Sequence, residues 1–179
     1  MVRTSALLWL LAPCGLLAVA LNDNGDAGGG MRDQEFVAVA TNCSRFEIEA
    51  GGLAYMQGSD ERIVDYGARM AADDGARCTE LAALAALKNW DVPDDLPERE
   101  SQLIDELAAL EGEAFDREFA RKMAASHEEA IALFEQASAP GGVQDDELRE
   151  WAAAKLPVLR SRLQTELDLL GQDMVQDSL

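Results

Sequence analysis

Three charged or titratable residues fall on helical faces that are otherwise apolar, and a fourth lies at their level, so these four could do chemistry in the interior. Glu47 belongs to the series Phe36, Ala40, Cys43, Glu47, Ala50, Ala54, whose steps of four and three trace one face of a helix. Asp74 sits in Ile63, Gly67, Met70, Asp74, Leu81, Leu84, and His127 in Phe115, Phe119, Met123, His127, Ala130, Phe134. In an antiparallel pair turning near Gly58, Glu47 and Asp74 are almost equidistant from the turn and lie side by side. About a second turn, near Pro140 to Asp145, His127 and Arg162 are related in the same way. One layer could therefore hold Glu47, Asp74, His127 and Arg162. Two carboxylates with an imidazole are metal-ligand chemistry, whereas the same carboxylates with a guanidinium are ion-pair chemistry. Unpartnered buried acids would give up their charge, so some cation is required if they are inward. The alternative is that Asp74 and Arg162 lie on the stripe edges and face water, with His127 a hydrogen-bonded or partly exposed side chain.

Cys43 and Cys78 are each one helical turn beyond Glu47 and Asp74, again at matching levels. In an oxidising compartment a Cys43–Cys78 disulfide is expected, worth about 3 kcal/mol for a loop of this length; the alternative is a pair of buried thiols. No CxxC spacing supports redox catalysis.

Composition removes other classes. The chain has 179 residues, 34 acidic against 15 basic, and a net charge of −19. Such a field repels phosphate backbones, so no nucleic-acid partner is expected. One histidine excludes an HExxH protease, and three scattered cysteines exclude zinc ribbons. No nucleophile with a histidine base and an orienting group is legible, nor a glycine loop that would cradle phosphate.

The elements that must position the four residues are helices. Ala, Leu and Glu dominate, alternation with period two is absent, and Gly and Pro gather at a few points. Helices are expected over about 33–57, 60–89, 113–137 and 145–170, the last containing Pro157, which should kink it. The break Asp91-Val92-Pro93-Asp94-Asp95-Leu96-Pro97 precedes a short helix near 101–110. The expected fold is all-α, a four-helix bundle over 33–170 with an extra helix in the crossover between the second and third long helices, followed by a tail at 171–179. Ahead of it, Arg3, an apolar run from Ala6 to Ala20 and the terminal Ala18-Val19-Ala20 read as a signal peptide of residues 1–20, followed by a flexible leader, 21–32. Export, to the periplasm, is implied, with no membrane span in the mature protein. Leu11-Ala12-Pro13-Cys14 is an imperfect lipoprotein box, and lipidation at Cys14 is the lesser alternative.

Five segments in order, Glu47-Ile48 with Gly51 and Leu53-Ala54, Val64 through Met70 to Asp73, Gly112-x-x-Phe115-Asp116, Met123 with His127 and Phe134, and Leu156-Pro157-x-Leu159, resemble the DUF4142 family of bacterial exported domains. The resemblance spans about Asp33 to Leu169 and implies a ferritin-like bundle with a core metal site. It also exposes departures. Where the family commonly has Asp-His, an acid before the third-helix histidine, and a fourth-helix histidine, this chain has Asp73-Asp74, Ser126-His127 and Arg162. Against that pattern Arg162 takes the place of a metal, bridging Asp74 and Glu47. The expected function is a non-enzymatic envelope protein, in stress tolerance or protein binding, with an eroded metal site and no cofactor. The alternative is a protein of ferritin-like type holding a divalent transition metal for binding or redox chemistry; a protein partner or homo-oligomer is compatible with either.

Overall fold

The computed structural model describes residues 31–176 of the chain. The expected signal peptide, Cys14 and nearly all of the leader lie outside the described residues.

Among the described residues the fold consists of four long helices and one short one: α1 (Asp33–Gln57), α2 (Glu61–Lys88), α3 (Glu98–Ala108), α4 (Gly112–Ser138) and α5 (Asp146–Gln176). The expected all-α bundle with a crossover helix is what forms. The α1–α2 and α4–α5 pairs are hairpins, and α3 carries the chain back along the bundle, so the long helices run up, down, down, up. Side chains fasten α3: the buried Lys122 ammonium reaches Glu106 at 2.7 Å, and Gln57 donates to the Ala108 carbonyl. The last helix passes Leu170 and Gly171 and continues to Gln176, longer than expected. A single glycine costs a helix only about 1 kcal/mol, too little to end it. Nor does Pro157 interrupt α5, which is helical throughout.

Each turn is held by a carboxylate from the opposite hairpin. At the α1–α2 turn, Asp116 of α4 accepts from the Ser59 and Asp60 backbone N–H groups and from the Ser59 hydroxyl, at 3.0, 2.9 and 2.5 Å. Asp60 then caps α2 by accepting from Arg62 N–H. At the other end, Asp33 of α1 accepts from Gln144 and Asp145 N–H, and Asp145 caps α5 through Leu148 N–H while pairing with Lys88 at 2.6 Å. Helix capping thus accounts for the acids around the α4–α5 turn.

The apolar interior comes in two halves. One is built on Phe36, Leu81, Leu84, Leu133, Phe134, Leu148 and Leu159, with Trp151 edge-on to Phe36; the other on Phe46, Met70, Leu107, Phe115, Phe119 and Met123. The seams differ too. Helices α1 and α2 cross so closely that a Cβ on Gly67 would lie 2.5 Å from Ala54 Cβ, and one on Gly51 would lie 2.5 Å from the Gly67 carbonyl oxygen. By contrast, α2 and α5 approach each other least of the four neighbouring pairs.

The crossing makes a paired prediction. Gly67→Ala must push two backbones apart, an overpacking penalty of about 1–3 kcal/mol or more, and should lower the urea midpoint. Gly75→Ala meets nothing within 4 Å and should raise stability by about 0.5–1 kcal/mol through helix propensity. Shifts of the same sign in both variants would contradict the close crossing.

Candidate functional site

Between the two apolar halves lies a layer of charge. Glu47, Asp74, His127 and Glu166 are wholly buried, and Arg77 and Arg162 are each 8% exposed. All four long helices contribute: Glu47 from α1, Asp74 and Arg77 from α2, His127 from α4, Arg162 and Glu166 from α5. Ser44 and Ser126 are buried beside them, and Tyr66 closes one side.

The contacts form one connected network. Arg77 donates to Asp74 Oδ1, to Glu47 Oε2 at 2.7 Å and to Ser44 Oγ at 2.9 Å. Arg162 Nη1 donates to Asp74 Oδ2 at 2.9 Å, and Nη2 reaches Asp73 Oδ2 at 3.2 Å; Glu47 Oε2 is 3.8 Å away. Ser126 donates to Glu47 Oε1 at 3.0 Å. On the far side, His127 Nδ1 is 2.8 Å from Glu166 Oε1 and 3.1 Å from the Met123 carbonyl. Tyr66 donates to the same Glu166 oxygen at 2.5 Å.

These distances fix the protons. Both neighbours of His127 Nδ1 are acceptors, so Nδ1 carries hydrogen. The other ring nitrogen, Nε2, makes no hydrogen bond but points toward Glu47 Oε2 at 3.7 Å. A bare lone pair facing a carboxylate is unfavourable, whereas an imidazolium there is an ion pair. Charge counting agrees: three buried carboxylates face two guanidiniums, and a protonated His127 brings the layer to zero. Burial opposes the imidazolium, but the charges of Glu47 and Glu166 outweigh it and hold the His127 pKa above its ordinary value. Burial likewise pushes Glu47 up, yet His127, Arg77 and Arg162 with the Ser126 hydrogen bond bring it below the usual carboxylate range. For Glu166 burial prevails over His127 and Tyr66, and its pKa is raised. The Tyr66 phenol is pushed up by burial and by the Glu166 charge, so it stays a donor.

The structure places all four residues singled out by sequence in this layer, and it adds Arg77, Glu166, Tyr66, Ser44 and Ser126. The alternative in which Asp74 and Arg162 face water is overturned by their burial. Arg162 hydrogen-bonds Asp74 and lies 3.8 Å from Glu47, and it also reaches Asp73; the guanidinium in hydrogen-bond contact with Glu47 is that of Arg77. The signal for the missing members was present. Continuing Ile63, Gly67, Met70, Asp74 by three lands on Arg77 before Leu81, and continuing Leu148, Ala152, Leu159 lands on Arg162, Glu166 and Leu169. The buried face of α5 runs through these residues, and Leu156 and Leu163 are only half-buried.

The expected Cys43–Cys78 disulfide is not formed: both residues are thiols. Cys43 is buried and Cys78 half-buried, and burial pushes the Cys78 thiol up.

The donor set does not suit a metal ion. The Asp74 oxygens and Glu47 Oε2 are already occupied by guanidinium donors, and two permanent cations in the layer repel a third. Among the described residues, no group of three or more His, Cys, Asp or Glu side chains could hold a metal ion.

Two outcomes test the network. Arg77→Ala and Arg162→Ala each leave the buried carboxylates one cation short and should destabilise by about 3–5 kcal/mol, read by chemical denaturation; a loss under about 1 kcal/mol, the value of an exposed pair, would contradict the burial. Because folded His127 binds its proton more tightly than unfolded, it contributes stability that is complete below the unfolded imidazole value, about 6.5, and is lost as pH rises through the higher folded value. Urea midpoints should therefore fall on the alkaline side of neutrality, and His127→Gln should remove that slope; an identical profile in the variant would refute the assignment.

Comparison with known proteins follows the same lines. No curated protein matches the sequence. Among solved structures, the chain is similar to CopM in the Cu(II)-bound form, with a TM-score of 0.65 over 80% of this chain and 98% of that one at 15% identity, a likeness of fold. Over residues 19–169 it matches the domain of unknown function DUF4142. The chain belongs to the DUF4142 family.

Proposed function

We propose that this is an exported, non-enzymatic helical-bundle protein of the cell envelope that acts through its surface, in stress tolerance or by binding another protein. The observation that carries the reading is the pair of guanidiniums in the buried layer. Arg77 and Arg162 supply the positive charge that Glu47 and Asp74 require, so the layer serves to hold four helices in register. Glu47, Asp74, His127 and Glu166 are wholly buried, and only the edges of Tyr66, Arg77 and Arg162 reach surface clefts. Export rests on the apolar run from Ala6 to Ala20 and its Ala18-Val19-Ala20 ending. No helix among the described residues is long and apolar enough to cross a membrane.

A second reading is metal binding, with copper(II) as the first ion to try because the neighbouring fold is Cu(II)-bound. Two buried atoms favour it: His127 Nε2 and Glu166 Oε2 have no hydrogen-bond partner. Elemental analysis of protein from the exported fraction, after exposure to copper(II), zinc(II) and iron(II) and extensive dialysis, separates the two. No stoichiometric metal is expected, in the wild type or in Glu47→Ala and His127→Ala. About one tightly held ion per chain, lost in both variants, would replace the first reading by the second.

A further inference from the structure

The open seam between α2 and α5 forms a surface groove that borders the buried layer through Tyr66 and Arg162. Its central part is a cleft of about 390 Å³, within the roughly 300–1,000 Å³ typical of small-ligand pockets. One wall is Tyr66, Arg69, Met70 and Asp73; the other is Pro157, Val158, Ser161, Arg162 and Thr165. The groove continues along the seam past Asp65 and Asp168.

Arg69 is the unusual member. It lies four residues from both Asp65 and Asp73 on the same helix, the spacing at which opposite charges pair. Asp73 instead accepts from Arg162, and Arg69 makes no ion pair or hydrogen bond among the described residues. Across the cleft the Ser161 hydroxyl is exposed and without a partner among the described residues, while Thr165 donates to the Ser161 carbonyl. Beside these polar groups lies apolar surface: Pro157 and Val158, the latter 49% exposed although large and hydrophobic.

We propose that the α2–α5 groove binds a small organic acid, its carboxylate held by Arg69 and Ser161 and its apolar body laid over Pro157 and Val158. Charge selects the class. One unpaired guanidinium matches one negative charge, and Asp65, Asp73 and Asp168 around the groove, which repel any anion, repel a dianion such as phosphate twice as strongly. The apolar wall gives a ligand with a hydrocarbon body an advantage over acetate. The site stands or falls independently of whether the buried layer takes a metal.

Titration of the isotope-labelled protein with phenylacetate, followed by backbone NMR, tests this. Expected are saturable shifts centred on Arg69, Met70, Val158 and Ser161, no response to phenylacetamide at the same concentrations, and binding weakened at least tenfold in Arg69→Gln. Ser161→Ala should weaken it by a smaller factor. Arg69 is exposed, so an unchanged thermal midpoint of the variant confirms that the fold is intact. Absence of saturation by about 10 mM, an affinity too weak to be a site, would overturn the proposal. So would equal binding of the amide, equal binding of inorganic phosphate, or undiminished affinity in Arg69→Gln.

Discussion

A bundle of this size could have closed around an unbroken apolar core, and this one instead encloses three carboxylates, two guanidiniums and an imidazole. Removing such charges from water is strongly unfavourable unless each finds its counterion at contact distance. The positions of all four long helices follow from that requirement. Glu47 must come within reach of Arg77 across the first hairpin, His127 within reach of Glu166 across the second, and Arg162 must cross between hairpins to Asp74. A one-residue slip of any helix would strand a charge in hydrocarbon, so the layer selects register more than it adds stability.

Arginine suits this task in a way that lysine would not. The planar guanidinium of Arg77 meets Glu47, Asp74 and Ser44 together, and that of Arg162 spreads over Asp74 and the exposed Asp73. A metal ion would draw the same carboxylates together through few, short bonds and would depend on supply. The covalently built cation is always present, a permanent part of the interior.

Much of this was legible in the sequence because helices write their buried faces in steps of three and four. The hairpin levels brought Glu47 beside Asp74 and His127 near Arg162, and the turn signals Gly58 and Pro140 to Gly142 located the helix ends. Arg77 and Glu166 escaped because a charged residue on a helix is ordinarily a solvated one, although both stand in the correct step. The cysteines show the opposite failure. Level alone could not say whether Cys43 and Cys78 would join, since one residue of rotation separates a disulfide from two thiols. The groove was illegible for a different reason: it depends on how far apart α2 and α5 stand, which helical periodicity does not encode.

The crossed carboxylates at the two turns carry a consequence for how the molecule comes apart. Asp116 satisfies the turn of the first hairpin from the second, and Asp33 satisfies the turn of the second from the first. Neither hairpin alone can satisfy those amide hydrogens from within the bundle, so partial structures consisting of one folded hairpin are penalised at their tips as well as along their exposed faces. Unfolding is thereby made cooperative over the whole bundle, and amide hydrogens at opposite ends of the molecule become reporters of the same opening event.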